Sequence, residues 1–366
     1  MRVAHVVTQL SVDGAFGGPA RVLREQVEEL SARGYDMTVL AGWDGLARPT
    51  FPSDVTLLLC RARTVVPRNG FAGMVAPTLI AYLARHAREF DIVHVHLARD
   101  LITMPAALVA AHHTRLVVQP HGMIKPDQRA KARIMDAVVT RRVLRRSRPA
   151  LFLTPIEERG LLAIASPLRL QHLANGIGAA DPHFASDDGP VLFCARLHPR
   201  KRVLAFVEMA KILAQRRVVA QFRIAGPDGG DLKALETALA DADGIDIQYL
   251  GAVAPERVQE LLGSASVYVL PSVDEPFPMT VLESLASGTP VVLTDTCAIA
   301  SDLAARGAAL VTDGSSEALA DAVQALLALP EMRKAQAAAG LDAVRQQYSI
   351  SAVVDQLEAV YGRVIA

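Results

Sequence analysis

Two glutamates, Glu275 and Glu283, stand eight positions apart in the segment DEPFPMTVLESLASGTPVV. A helix that begins near Pro278 would leave Glu275 in the preceding loop and place Glu283 about a turn and a half inside the helix. The first amides, of Met279 and Thr280, would then offer the positive end of the helix dipole to an anion. Carboxylates that accept from hydroxyls beside an anion site suit a nucleotide bearing a sugar. Two solvated glutamates flanking a helix start would give the same spacing.

Four cations follow a predicted strand in the segment CARLHPRKR: Arg196, Arg200, Lys201 and Arg202. Open parallel sheets bind ligands beyond the carboxyl ends of their strands, and Arg together with Lys suits a diphosphate. The competing interpretation is a solvated, basic helix start, but cations there would oppose the helix dipole. The cluster therefore favours a phosphate-binding role.

Two further sets of polar residues follow or lie on predicted strands. His94 and His96 share one face of a strand, but no Cys or carboxylate with ligand spacing stands nearby, so no metal site is predicted. Asp13, in the first loop, and Asp100 could contact a hydroxyl of an acceptor substrate. Ordinary turn aspartates would look the same.

The stretch from Lys125 to Arg148 is strongly basic, with nine cations against only Asp127 and Asp136. Apolar residues such as Val138 lie between the cations. A basic helix with an apolar face favours contact with an anionic membrane surface, although a solvated helix with locally paired cations would have the same composition. Nucleic acid is a poorer partner because no aromatic residues interleave with the cations.

The elements that position these residues alternate between strands and helices. The opening MRVAHVVTQL predicts a buried strand, followed by a glycine loop, a helix that ends near Gly34 and the strand YDMTVLAG. Such βαβ units imply a parallel sheet with helices on both faces. Further strands are predicted at 55–60, 91–97, 115–122, 150–155, 191–197, 221–226, 246–251, 267–272 and 290–295. The expected fold is α/β, with two Rossmann-like, doubly wound lobes that face an interlobe cleft.

The length also argues for two domains, since 366 residues exceed what one hydrophobic core usually serves. A polar segment at 181–190 predicts the linker. The expected domains are residues 1–184 and 187–349, and the amphipathic helix predicted within 350–366 is expected to pack back on the first lobe.

Composition excludes several classes of protein. Half of the residues, 51%, are hydrophobic and 21% are charged, which is typical of a soluble globular chain. No apolar run is long enough to span a membrane, and three scattered cysteines suit a reducing cytoplasm. The net charge of zero is a cancellation, because residues 1–185 hold 23 Lys and Arg against 15 Asp and Glu.

These motifs together resemble the retaining GT-B glycosyltransferases of family 4. The resemblance rests on the order and spacing of RLHPRK (196–201), IAGPDGG (224–230), the helix start near Met279, and Glu275 with Glu283. The first lobe adds GGPARV (17–22) and QPHG (119–122), similar to the glycine loop and the histidine motif of the family. Arg202 and Pro278 stand where the family often has glycine.

The resemblance implies roles for individual residues. The first lobe would bind the acceptor and the second the nucleotide-sugar donor. Arg196 and Lys201 would bind the diphosphate, Glu275 the sugar hydroxyls, and Glu283 the ribose hydroxyls. His121 would contact the transferred sugar at the reaction centre. The remaining implied donor contacts are Gly17, Gly18, Gly226, Pro278, Met279 and Thr280, and Asp13 and Asp100 are the acceptor candidates.

The expected function is transfer of a hexose, with retention, from a GDP- or UDP-sugar to a hydroxyl of a saccharide or lipid-linked saccharide in cell-surface polysaccharide synthesis. We expect no metal and no cofactor, no nucleic acid partner, and a cytoplasmic enzyme that associates peripherally with the membrane through residues 125–148. The alternatives are a nucleotide-sugar epimerase of similar fold and a catalytically silent sugar-binding subunit.

Overall fold

The computed structural model of the chain describes residues 1–10, 17–66, 70–178 and 188–366. The chain divides into two compact units, here called unit 1 and unit 2. Unit 1 comprises Met1–Gly178 with Ile350–Ala366, and unit 2 comprises Ala179–Ser349. The predicted linker at 181–190 lies largely outside the described residues.

The regular elements alternate along the chain. The strands are β1 (Arg2–Gln9), β2 (Asp36–Trp43), β3 (Thr56–Arg61), β4 (Arg63–Thr64), β5 (Met74–Val75), β6 (Ile92–His96), β7 (Arg115–Gln119), β8 (Ala150–Phe152), β9 (Leu170–His172), β10 (Val191–Cys194), β11 (Phe222–Ala225), β12 (Ile247–Tyr249), β13 (Val267–Leu270), β14 (Val291–Thr294) and β15 (Leu310–Thr312). The α-helices are α1 (Gly17–Ala32), α2 (Pro77–His86), α3 (Thr103–His113), α4 (Ala130–Met135), α5 (Arg141–Arg146), α6 (Pro155–Ile164), α7 (Val203–Gln215), α8 (Leu232–Ala240), α9 (Pro255–Ser264), α10 (Met279–Ala286), α11 (Ala300–Ala305), α12 (Ser316–Ala328), α13 (Pro330–Ala343) and α14 (Ile350–Ile365).

Unit 1 is built on a parallel sheet of seven strands in the order β3-β2-β1-β6-β7-β8-β9. Its central strand β1 is buried at every residue after Arg2, as a parallel strand covered by helices on both faces requires. One face packs on α2, α3 and α5, and the other on α1 and α14. The last helix, α14, therefore completes the core of unit 1 through residues such as Val353 and Leu357.

Unit 2 contains a parallel sheet of six strands in the order β12-β11-β10-β13-β14-β15. Phe193, Phe206 and Phe222 pack together where α7 covers β10 and β11. In both units the strand order reverses beside the strand that comes first in that unit, β1 or β10. Ligands of doubly wound folds bind at such switch points. The predicted class, two doubly wound α/β lobes, is confirmed.

Several details differ from the predictions. The short edge strands β9 and β15 were not predicted, because three residues carry too little periodicity to distinguish a strand from a loop. Gly17 and Gly18 form the first turn of α1 rather than a loop. The basic stretch is helical from Ala130 to Arg146, but its middle part, Asp136–Thr140, is a π-helical turn.

Among the described residues, no helix is both long enough and apolar enough to cross a lipid bilayer.

Candidate active site

The carboxyl end of β10 in unit 2 carries the predicted cations. After β10 the chain makes a 3₁₀ turn, Pro199–Lys201, which His198 caps by accepting from the Arg200 amide at 3.1 Å. Lys201 donates from Nζ to Oε2 of Glu275 at 2.6 Å, and the Glu275 side chain is only 6% exposed. The structure thus brings Lys201 and Glu275 together from segments 74 residues apart.

The backbone on either side of this ion pair adopts an unusual conformation. Arg202, which follows Lys201, has a φ of 53°, and Asp274, which precedes Glu275, has a φ of 51°. Left-handed backbone at residues other than glycine costs free energy and is concentrated at functional sites. His121, in unit 1, also has a φ of 53°. Of the four non-glycine residues with left-handed φ in the part of the chain that the structure describes, three therefore lie in predicted site segments, and the fourth, Arg217, follows α7.

Arg196 is exposed and makes no ion pair with any described residue. Its aliphatic stem lies over Gly229, where an added Cβ would come within 2.8 Å of Arg196 Cγ. The backbone itself requires glycine at position 226, because φ there is 143° and a Cβ would lie 1.9 Å from the Ala195 carbonyl oxygen. Any contact of Gly226 with a ligand remains a prediction.

Helix α10 starts at Met279, with Pro278 as its N-cap residue. The amides of Met279 and Thr280 have no intrahelical acceptor, because they lie in the first turn. The Tyr268 hydroxyl, which donates to the Cys194 carbonyl oxygen at 3.1 Å, lies 2.8 Å from Thr280 Oγ1. Sequence reasoning missed Tyr268 because it is one buried aromatic residue in an apolar strand. Tyr268 fixes the start of α10 against the end of β10.

Glu283 lies on α10 and is 8% exposed. Burial raises the pKa of the Cys194 thiol to about 12, and the charge of Glu283 adds to that effect. The Glu283 carboxylate is therefore close to the carboxyl end of β10, as is the Lys201 segment. Glu275 and Glu283 are therefore both buried and lie at the same edge of the sheet. This excludes the alternative in which they are two solvated glutamates flanking a helix start.

The histidine motif of unit 1 forms a tight turn after β7. His121 and Gly122 both have left-handed backbone, with φ values of 53° and 72°. The buried carboxylate of Glu157 holds the turn by accepting from the Gly122 amide at 2.5 Å and from the Leu153 amide at 2.7 Å. Sequence reasoning missed Glu157, which is distant from the motif in sequence and looks like an ordinary first-turn glutamate of α6.

His121 belongs to a larger histidine cluster. Its Nε2 lies 2.7 Å from Nδ1 of His96, and His96 Nε2 lies 3.1 Å from Nδ1 of His5. Burial lowers the pKa of His121 to about 3, and Asn175 beside it opposes that shift. The imidazole is therefore neutral at physiological pH. The sequence placed His94 and His96 on one face of a strand but did not predict the cluster, because His5 and its partner Tyr361 come from opposite ends of the chain.

The two acceptor candidates have different outcomes. Asp13 lies outside the described residues. Asp100 is fully buried, and its carboxylate accepts from the Thr8 hydroxyl and from the amides of Ile102 and Thr103 at 2.9 Å and 2.6 Å. Asp100 therefore stabilises the start of α3, and we do not retain it as an acceptor contact.

The first turn of α1 lies at the same edge of the sheet as His121. A Cβ added to Gly18 would meet no atom of the described residues within 4 Å. Gln26 of α1 donates from its side chain to the Gln119 side chain at 3.2 Å, which fixes this helix against the end of β7. Among the described residues, none therefore fills the space beside Gly18.

Comparisons with known proteins identify the class to which this fold and site belong. The family model described as glycosyl transferases group 1 matches residues 180–342, and the glycosyl transferase 4-like domain matches residues 17–176. The chain therefore belongs to the family 4 glycosyltransferases of GT-B fold, and it is a glycosyltransferase.

Individual relatives agree with this assignment. The alpha-D-kanosaminyltransferase of Streptomyces kanamyceticus is 26% identical over 93% of this chain and 98% of its own length. A phosphatidyl-myo-inositol mannosyltransferase of Mycobacterium leprae is 39% identical over 31% of each chain. The structure of HepE from Anabaena, in complex with UDP and glucose, matches with a TM-score of 0.73 at 16% identity, covering 99% of both chains. At that identity the structural match supports the fold alone.

Proposed function

We propose that the protein transfers a hexose from a nucleoside diphosphate sugar to a hydroxyl of a saccharide or lipid-linked saccharide, with retention of anomeric configuration. The observation that carries the proposal is the ion pair of Lys201 with the buried Glu275, between strained residues at the carboxyl end of the unit 2 sheet. A preformed cation and carboxylate beside a helix N-terminus suit a ligand that combines phosphate with hydroxyl groups.

The residues divide between the parts of the donor. Arg196 and Lys201 bind the diphosphate and stabilise the negative charge that develops on the departing nucleotide. Lys201 also neutralises Glu275. Once the diphosphate takes over Lys201, the Glu275 carboxylate is free to accept from sugar hydroxyls. This exchange of partners links binding of the phosphates to binding of the sugar.

The remaining contacts follow the implied roles. The amides of Met279 and Thr280 bind a phosphate oxygen, Glu283 accepts from the ribose hydroxyls, and His121 contacts the transferred sugar. Because two cations and a helix dipole already oppose the leaving-group charge, the reaction needs neither metal nor cofactor. The printed names of the relatives, a kanosaminyltransferase and a phosphatidyl-myo-inositol mannosyltransferase, support sugar transfer and leave the base, uracil or guanine, open.

A panel of UDP- and GDP-sugars tests the proposal. A donor that binds raises the free energy of unfolding by mass action, by about 2.7 kcal/mol at a concentration of 100 Kd, and so raises the unfolding temperature. The stabilising donor is then incubated with saccharide acceptors in the presence of EDTA, and the anomeric configuration of the product is read by NMR. Retention without added metal is the expected result. Inversion, or activity that EDTA abolishes, would contradict the proposal.

The same assay separates the alternatives. An epimerase converts its nucleotide sugar with no acceptor present, and a silent subunit binds the donor but releases no nucleotide. We expect nucleotide release that depends on both donor and acceptor.

We further propose that the basic stretch of unit 1 binds an anionic lipid surface and so brings the enzyme to a lipid-linked acceptor. All nine of its cations are exposed, and Ile134 and Val138 are also exposed, by 64% and 61%. Arg129 pairs with Asp127 and Arg146 lies 2.8 Å from His112, but Lys131, Arg133 and Arg142 have no ion-pair partner among the described residues. Unpaired cations around exposed aliphatic side chains are typical of interfacial helices.

A further inference from the structure

A buried series of hydrogen bonds connects the last helix of the chain to His121. The Tyr361 hydroxyl lies 3.0 Å from His5 Nε2, His5 Nδ1 lies 3.1 Å from His96 Nε2, and His96 Nδ1 lies 2.7 Å from His121 Nε2. His94 joins as a branch, with its Nδ1 2.7 Å from the Tyr361 hydroxyl. Tyr361, His5, His94 and His96 are fully buried. These five side chains are called the histidine chain below.

Every ring in the histidine chain is neutral. Burial lowers the pKa of His5 and of His121 to about 3, and it lowers the pKa of His94 and His96 well below the usual value. A neutral imidazole has one N–H and one lone pair. The direction of one hydrogen bond therefore fixes the tautomer of the next ring. Two arrangements of the whole chain make every contact and also use the Tyr361 hydroxyl hydrogen in one of them, and they differ in whether His121 Nδ1 carries a proton.

The His94 branch selects one arrangement. His94 Nε2 is buried without a hydrogen-bond partner, and so is the side-chain nitrogen of Gln119, a residue whose side chain lies beside His94. The Gln119 nitrogen can only donate, so it complements a lone pair on His94 Nε2. His94 then carries its proton on Nδ1 and donates to Tyr361. The hydroxyl hydrogen of Tyr361 is left to donate to His5 Nε2.

The same polarity continues to the other end. His5 donates from Nδ1 to His96 Nε2, and His96 donates from Nδ1 to His121 Nε2, so the proton of His121 must be on Nδ1. Asn175 Oδ1, a buried acceptor without a partner, lies beside His121 and complements that N–H. The opposite polarity would bury an unsatisfied N–H of His94 in the core, which costs about 1–3 kcal/mol.

We propose that Tyr361 is a positioning residue that, through His5 and His96, fixes His121 in the neutral Nδ1–H tautomer. In that tautomer His121 Nε2 accepts from His96 and the buried Nδ1–H complements Asn175 Oδ1, so the ring has no free lone pair with which to act as a general base. Contact of the oriented His121 side chain with the transferred sugar rests on the proposed function. The tautomer itself does not depend on it.

A cluster of histidines can alternatively bind a shared metal ion. Ligand nitrogens of His5, His94 and His96 lie within 4.8 Å of one another. The rings of His94 and His96, however, are stacked at an angle of 7° with centroids 4.9 Å apart. Ring lone pairs lie in the ring plane, so two stacked, parallel rings cannot both direct a lone pair at one ion. The geometry favours the hydrogen-bonded chain.

The tautomers can be measured by NMR on protein labelled with ¹⁵N-histidine. Long-range ¹H–¹⁵N correlations distinguish Nδ1–H from Nε2–H rings, and the signals that disappear in His121→Gln identify His121. We expect a single, neutral Nδ1–H ring for His121 at pH 7. In Tyr361→Phe, His5 loses its donor, so we expect His121 to become a mixture of tautomers. The control Tyr35→Phe removes a hydroxyl that bonds Glu358 on the same helix α14, and it should leave His121 unchanged.

Three results would overturn the proposal. They are an Nε2–H or charged His121 in the wild type, unchanged His121 signals in a folded Tyr361→Phe variant, and stoichiometric perturbation of the cluster by added Zn²⁺. The wild-type spectrum decides even if Tyr361→Phe does not fold.

Enzyme kinetics test the role of Tyr361 independently of the NMR spectra. Where transfer is measurable, Tyr361→Phe should lower kcat roughly tenfold with little change in the donor KM, the scale of one net hydrogen bond. The spectra require no turnover, so a failure of sugar transfer and a failure of the tautomer assignment are distinguishable.

Discussion

At the scale of single residues, the central feature is the contact between Lys201 and Glu275. The Glu275 side chain is 6% exposed, so its negative charge depends on a cation for stability. Arg200 contributes less, since its nearest guanidinium nitrogen is 3.7 Å from the same carboxylate oxygen. We therefore expect removal of either member of the pair to affect folding and, under the proposed function, catalysis.

We predict that Lys201→Met and Glu275→Gln each lower the rate of sugar transfer by about a hundredfold or more, the scale of losing one preorganised electrostatic partner. Lys201→Met should also lower the free energy of unfolding, because it leaves a buried carboxylate without its nearest cation. The double variant should recover part of that stability but none of the activity.

The matched control for this prediction is Glu260→Gln. Glu260 pairs with Arg257 in unit 2, but both side chains are 62% exposed, so we expect no change in activity or stability. Near-normal turnover in Lys201→Met or Glu275→Gln would refute the assignment of the site.

At the scale of elements, the helix from Ala130 to Arg146 is the part of unit 1 that differs most from a regular α-helix. Its π-helical turn contains Asp136, which is buried and makes a two-pronged ion pair with Arg99, both distances being 2.9 Å. This internal pair anchors the middle of the helix to the segment after β6. The other cations of the stretch lie on the exposed side.

We predict that vesicles containing phosphatidylglycerol bind the protein, that neutral phosphatidylcholine vesicles do not, and that salt weakens the binding. The double variant Ile134→Asp/Val138→Asp should reduce partitioning at least about tenfold, since it removes the aliphatic contact and adds negative charge. Co-sedimentation measures the bound fraction.

Val219→Asp is the control, because Val219 is a 99% exposed valine of unit 2 with no basic helix around it. Equal loss of binding in this variant, or equal binding of neutral and anionic vesicles, would argue against a specific lipid surface on the basic helix.

At the scale of the whole molecule, unit 1 is folded from both ends of the chain. α14 supplies Val353, Val354, Leu357 and Tyr361 to the same core as β1 and α1. Arg33 fixes this arrangement through ion pairs with Asp355 and Glu358 at 2.6 Å and 2.7 Å. The histidine chain lies within this core, so its neutral rings link the stability of unit 1 to pH.

We predict that the free energy of unfolding of unit 1 decreases as the pH falls below about 6.5. The four histidines of the histidine chain have folded pKa values below those of the unfolded chain, so the unfolded chain binds protons first. Their contribution is complete above the unfolded pKa and is lost as the pH falls towards the folded values. Each histidine adds a slope approaching about 1.4 kcal/mol per pH unit.

Urea unfolding between pH 7 and 5.5, followed by the fluorescence of Trp43, the single tryptophan, measures this effect within unit 1. His94→Gln should reduce the slope by the share of one histidine, whereas exposed His112→Gln should not change it. A free energy of unfolding that is independent of pH over this range would contradict the neutral histidine chain.

The sequence by itself determined the fold class, the succession of most strands along the chain and the family, and it predicted the main charged site residues. It could do so because hydrophobic periodicity is local and because Arg196, Lys201, Glu275 and Glu283 stand in ordered motifs. Only the tertiary structure showed that Lys201 contacts Glu275, that the Asp100 carboxylate accepts hydrogen bonds from within unit 1, and that Glu157 holds the His121 turn. The histidine chain is the clearest case, since His5 and Tyr361 are separated by 356 positions. Contacts of that kind depend on which strands become neighbours in the sheet and on the return of α14 to unit 1, and neither leaves a local pattern in the sequence.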